Sequence, residues 1–237
     1  MTEFTTWRSL VDGDEISDIP DSENVHLEYI ASEQPESDGE TVDKLIDQSD
    51  NNRDSDESDT LGSPILNADG FNNEPTIDIG ADEAFFTDVD LPSTVCTLYV
   101  VVAPPETNVD HDYLREGNDV IFEYDDDSGY VTDLRGDAPA ISRTEANEEV
   151  IAYVADSGAD EALVEVGQGD ESDFSDDASD RTVDLSNIGI GGRGDDKDTA
   201  GNDTGYGLSH YLLYETAHFD SDTRNDVYDY LSSKQPI

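Results

Sequence analysis

The sequence predicts an all-β fold: a two-sheet antiparallel sandwich of jelly-roll type, closed by one short C-terminal helix and preceded by an extended N-terminal docking segment. Three observations predict it. Apolar residues gather into runs of strand length, such as 94–103 (TVCTLYVVVA) and 149–154 (EVIAYV). Turn-forming residues punctuate those runs at short intervals, and a single segment near the C-terminus carries a helical period. A chain of 237 residues fits one sizeable β domain.

Residues 1–39 carry Trp7, Leu10, Val11, Ile16 and Ile19 spaced through Asp, Gly and Pro, and lead to a strand at 25–31. So few apolar side chains cannot build a core of their own. The segment is therefore expected to dock on the main domain or on a neighbouring subunit, with Trp7, Leu10, Ile16 and Ile19 as assembly anchors. The jelly roll is expected over 40–237.

Within it, 75–80 (PTIDIG) alternates Ile77 and Ile79 against Thr76 and Asp78, as one buried sheet face requires. Runs at 120–124 and 130–134 flank DDDSG, and runs at 149–155 and 161–166 flank DSGAD; both pairs read as hairpins. Two more strands, 182–190 and 206–214, surround the polar loop 191–205. The helix follows: Asp220 or Ser221 caps it, Asp222 sits near its positive end, and Thr223, Val227, Tyr230 and Leu231 share one face. Arg224, Asp226 and Asp229 are expected on the other.

Charge identifies the solvent. Sixty Asp and Glu against eleven Lys and Arg give a net charge of −49, with Asp outnumbering Glu about two to one and Lys confined to Lys44, Lys197 and Lys234. Intrinsic disorder is the usual outcome of such composition, but the clustered apolar runs argue for a core. A carboxylated, lysine-poor surface suits molar salt, where the screening length falls to about 3 Å. The expected source is an extreme halophile or its virus. Scattered basic residues exclude nucleic-acid binding.

Cys96 is the single cysteine and lies within an apolar run, so it is expected to be a buried structural thiol. No stretch approaches the roughly 20 apolar residues of a membrane span, and the start has neither the basic flank nor the apolar core of a signal peptide. Membrane insertion is not expected.

Several segments, in order, carry a family likeness. VDKLIDQSDNN at 42–52 resembles the W-x-D-x-S-G-N turn of laminin-G-like, concanavalin-type jelly rolls, with Ile46 at the tryptophan position. GFNNEPTIDIGADEAFFTD at 70–88 resembles the segment that follows it in that family. NIGIGGRG at 187–194 and YLLYETAHFDSDTRNDVYDYLSSK at 211–234 resemble the family's ending, with Thr216 and Ala217 replacing Asp-Arg. The opening TTWRSLVDGDEISDIPDS resembles openings of haloarchaeal virus tail and surface proteins.

No catalytic constellation is legible. Glycoside hydrolases on this type of fold need a carboxylate pair at defined separation, and Glu161 with Glu165 is explained more simply by a solvated sheet face. The histidines His26, His111, His210 and His218 have no nucleophile motif near them, and zinc-ligand spacing is absent. Calcium suits two acidic loops: one holds Asp125, Asp126 and Asp127, the other Asp195, Asp196, Asp198, Asn202 and Asp203. Hydrated turns screened by salt cations are the alternative. Tyr113, Tyr130 and Tyr206, with Asn202, are candidates for stacking on and hydrogen bonding to a sugar, the alternative being rim packing.

The resemblance, with no signal peptide and no catalytic set, implies a non-enzymatic virion surface protein of a haloarchaeal virus, as a capsid turret, decoration or tail-fibre subunit. It would assemble with itself and other virion proteins and contact host surface glycans or glycoproteins. A purely structural virion subunit and a halophilic glycoside hydrolase are the other readings.

Overall fold

The computed structural model describes residues 19–71, 73–80, 83–87, 91, 95–103, 111–116, 119–125, 129–131, 140–141, 149–156, 158, 161–167, 170–175, 188–191 and 206–234. Among the described residues, fourteen strands form two antiparallel sheets. The strands are β1 (Val25–Ile30), β2 (Ile65–Phe71), β3 (Glu74–Ile79), β4 (Phe85–Thr87), β5 (Val95–Ala103), β6 (His111–Glu116) and β7 (Asp119–Asp125). They continue with β8 (Gly129–Val131), β9 (Ala140–Ile141), β10 (Glu149–Asp156), β11 (Glu161–Val166), β12 (Asp170–Ser175), β13 (Ile188–Ile190) and β14 (Tyr206–Tyr214). One helix, α1 (Ser221–Lys234), ends the described chain.

The larger sheet runs β12-β11-β10-β5-β14-β3-β2, with β1 also paired to β14; the smaller runs β4-β13-β6-β7-β8-β9. Both expected hairpins form, β7 with β8 and β10 with β11. Of the strand expected over 182–190, Ile188–Ile190 is a strand, and 176–187 lies outside the described residues.

The central strands are apolar on both faces because both are covered. Cys96, Leu98, Val100 and Val102 of β5 face the inter-sheet core with Ile151 and Tyr153 of β10. Tyr99 and Val101 join Val150, Ala152, Leu212 and Tyr214 in a second cluster with Val227, Tyr228, Tyr230 and Leu231 of α1. The strongest apolar run in the sequence is therefore continuous where a half-exposed strand would alternate. The β14 register shifts between Leu208 and His210. That irregularity reverses parity: Leu208, Tyr211 and Leu213 belong to the inner cluster, and Leu212 and Tyr214 to the one beneath the helix.

Helix α1 begins at Asp220, whose carboxylate accepts the backbone N–H groups of Asp222 and Thr223 at 3.1 and 3.0 Å, the N-cap arrangement its sequence predicts. Val227 and Leu231 are buried as expected, and so is Tyr228. Arg224 is a correction: it is buried beneath the helix, with its Nε against Glu165 of β11 and its Nη1 donating to the carbonyls of His218 and Phe219 at 3.0 and 2.6 Å. Glu165 is accordingly buried, while Glu161 on the same strand is exposed. The solvated face expected for the pair holds for Glu161 alone.

The segment 1–39 does not end where the sandwich begins. Strand β1 pairs with β14 along Val25 to Ile30, and Leu27 and Tyr29 sit in the inter-sheet core. Ile19, expected as an assembly anchor, packs against the cluster beneath α1 of its own chain. Trp7, Leu10 and Ile16 lie outside the described residues.

Candidate functional site

Strand register fixes which connections share an end of the sandwich. Tyr206 pairs with Ile79 and Gly207 with Ala103, so β14 starts where β3 and β5 finish. Glu149, the first residue of β10, pairs with Val102 at the same end. In the smaller sheet His111 of β6 pairs with Tyr124 of β7, and β13 runs antiparallel to β6 toward that end. The strand ends that flank the β3-β4, β5-β6, β9-β10 and β13-β14 connections, all passing from one sheet to the other, therefore lie there, with the strand ends that flank the β7-β8 and β11-β12 turns. The acidic loops at 125–129 and 191–205, far apart in sequence, are anchored at this one end. Asp126, Asp127, Asp195, Asp196, Asp198, Asn202 and Asp203 lie outside the described residues; Asp125 and Tyr130 are described as strand backbone alone.

Two of the sugar-stacking candidates are corrected. Tyr113 and Tyr206 do sit near this end, on β6 and β14, but both are buried, and their rings meet edge to face with centroids 5.3 Å apart. Tyr113 packs on Phe122 at 5.5 Å, and Phe122 stacks on Tyr153 at 5.6 Å. These rings bridge the two sheets and hold the loop end together from within. A ring closed in the core has no face to offer a pyranose.

The clustered ionisable side chains lie elsewhere, along the seam between β1 and β14. His26 of β1 lies against both Glu215 and Arg53 through Nδ1, and Arg53 Nη1 donates to the His26 carbonyl at 3.0 Å. Glu28 of β1 pairs with His210 Nε2 of β14 at 2.8 Å and accepts from the Tyr230 hydroxyl of α1 at 2.8 Å. His218, just past β14, has Nε2 3.2 Å from Asp21 and Nδ1 3.0 Å from the Tyr99 hydroxyl. Burial pushes His26 and His218 below the ordinary histidine value; Arg53 and Arg224 add to this, and the carboxylates Glu215 and Asp21 oppose it. Sequence reasoning missed these pairs because their partners lie 182 to 197 residues apart.

The other edge of β1 is closed by the D-x-S-x-N turn. Asp47 accepts from the backbone N–H of Glu28, Ser49 and Arg53 at 2.9, 3.0 and 2.7 Å, and Asn51 donates to the Val25 carbonyl at 2.7 Å. The Gln48 N–H donates to the Glu28 carbonyl at 2.7 Å. Those residues have a legible signal, the family-like turn at 42–52, and their role is to cap a sheet edge. Ile46, at the tryptophan position, is half-buried.

Chemically, the seam binds protein to protein: each carboxylate there faces a histidine, arginine, tyrosine or backbone N–H of the same chain. Burial pushes the Cys96 thiol up to about 12, which makes it a poor nucleophile. Among the described residues no grouping of His, Cys, Asp and Glu is placed to hold a metal ion, and no helix is long and apolar enough to cross a membrane.

No protein-family model and no curated protein matches the sequence. Solved structures share the fold. Trypanosoma rangeli sialidase in complex with sialic acid superposes with a TM-score of 0.59 at 14% identity, over 90% of this chain and 33% of that one. A structure described as a receptor binding domain gives 0.60 at 6% identity, over 89% and 51%. A mutant of HCR D/C VPI 5995 gives 0.59 at 8% identity, over 89% and 53%. The chain thus spans a third to about half of these relatives, and the likeness establishes a jelly-roll-like β-sandwich and nothing finer.

Proposed function

We propose that this chain is a non-enzymatic recognition subunit on the surface of a haloarchaeal virus particle, where it contacts glycans or glycoproteins of the host surface. The observation that carries this reading is the anchoring of four cross-sheet connections and the β7-β8 turn, and with them both acidic loops, at one end of a sandwich braced from within by Tyr113, Tyr206, Phe122 and Tyr153. Variable connections on a rigid scaffold are where binding residues concentrate. The acidic surface supports the halophilic setting, and the likeness of the opening residues to haloarchaeal virus surface proteins supports the particle. With Tyr113 and Tyr206 withdrawn, Tyr130 and Asn202 remain as the sugar-contact candidates. Calcium or other salt cations remain the candidate occupants of the Asp125–Asp127 and Asp195–Asp203 loops. The chain would assemble with copies of itself and with other virion proteins.

A glycan array probed in molar salt tests the reading. Saturable binding to halophile surface glycans or glycoprotein is expected. Release of reducing sugar from those glycans would instead establish a hydrolase. Neither binding nor hydrolysis would leave a structural subunit.

A further inference from the structure

We propose that the seam joining β1 to β14 is an acid-operated clasp, in which His26 and His218 loosen the hold of β14 on β1 as they take up protons, while the ladders of β5 and β10 stay closed. This inference does not depend on what the chain recognises.

The geometry is specific. Three of the four histidines of the chain are buried, and each faces a carboxylate across this one seam: His26 with Glu215, His210 with Glu28, and His218 with Asp21. The stretch 21–28 supplies one partner of every pair and the stretch 210–218 the other. Among the described residues, His26 Nε2 and His210 Nδ1 are buried with no hydrogen-bond partner. A neutral imidazole tolerates this, because the bare nitrogen is an acceptor left idle. A charged imidazolium carries a proton on both nitrogens and so places a cationic donor in a buried site with nothing to receive it.

His26 meets Glu215, Arg53 and Asp47. His210 meets Glu28, which Tyr230 of α1 also holds, and Lys234 lies over the Tyr230 ring at 5.3 Å. His218 meets Asp21, Tyr99, Arg224 and Asp220. The carboxylates favour the charged ring; burial and the two arginines oppose it, and for His26 and His218 the opposition prevails. The opened state thus binds more protons than the closed one. For each such histidine the open fraction rises up to about tenfold per pH unit below about 6.5.

Opening is local because β1 lies beside β14 outside the main strand order of the sheet, whereas β14 stays paired to β5 over Gly207 to Tyr214. Loosening β1 breaks its ladder to β14 and strains its bonds to the turn at 47–51, and leaves β14, β5 and β10 paired.

Amide hydrogen exchange of the full chain in molar salt between pH 7.5 and 5 tests the proposal, with protection corrected for intrinsic rates. Protection over Val25–Ile30 is expected to fall by more than tenfold while that of β5 and β10 holds. His26→Gln, which keeps a side-chain amide beside Glu215 but cannot titrate, is expected to shallow that fall. Unchanged protection in β1, or a fall shared equally with β5 and β10, would overturn the clasp. A fall in the variant as steep as in the parent would remove His26 from it.

Discussion

Arg224 is a cation held in an apolar layer, and what surrounds it sets its value. Its guanidinium is engaged by Glu165 and by two backbone carbonyls at the entrance to α1. Replacing it with alanine takes the guanidinium away from a buried carboxylate, so Arg224→Ala is expected to cost about 3 to 5 kcal/mol in chemical denaturation in molar salt. Pairing Arg224→Met with Glu165→Leu should recover most of that loss, since both buried charges then go together. Leu231, buried on the same face, is expected to cost about 2 to 5 kcal/mol as Leu231→Ala; an unchanged midpoint would mean that the helix is not a working part of the fold. Leu231 and Val227 were legible from their spacing. Arg224 was not, because a charged residue on a short helix reads as solvent-facing until a buried partner is known. Tyr113 and Tyr206 were legible as strand-end residues but not as inward-pointing ones, since parity near a strand end depends on register and on bulges such as that of β14.

At the scale of elements, β1 connects the N-terminal half of the chain to its C-terminal strand. Leu27 and Tyr29 are core residues, and both edges of β1 are bonded, one to β14 and the other to the turn at 47–51. A chain lacking residues 1–18 is expected to keep the thermal midpoint of the full chain in molar salt, and one lacking 1–30 to fold with a clearly lower midpoint, followed by near-UV circular dichroism. An unchanged midpoint in the shorter chain would mean that β1 is dispensable. The same element sets an acid limit. Because burial holds His26 and His218 below 6.5 in the folded chain, their contribution to stability is complete above that value and is lost as pH falls through their lower folded values. Thermal midpoints in molar salt are therefore expected to fall between about pH 6.5 and 5, and midpoints that rise over that range would reverse the sign. Hairpins and the helix were legible because both partners are close in sequence. Strand β12 (DESDFS) was not: its composition is that of a loop, and pairing with β11 makes it a strand. The pairing of β1 was not legible for a related reason, since its partner lies at the far end of the chain.

For the whole molecule the question is what allows a chain of net charge −49 to stay compact. The core answers half of it: two apolar clusters, one between the sheets and one beneath α1, bury the strand runs visible in the sequence. The solvent answers the rest. At molar salt the screening length of about 3 Å is shorter than the spacing of most surface carboxylates, and at about 0.01 M it grows to about 30 Å, comparable to the domain itself. Self-repulsion then acts across the entire sandwich. All-β class, hairpins and helix were legible because they are written in composition and local period. The histidine seam and the anchoring of both acidic loops at one end were not, because they arise from pairings between distant strands. The central claim, a folded sandwich whose compact state depends on screening, is tested most directly by near-UV circular dichroism during dialysis from molar to about 0.01 M salt. The account predicts that the tyrosine signals of the packed core collapse as salt is removed; a spectrum unchanged at low salt would contradict it.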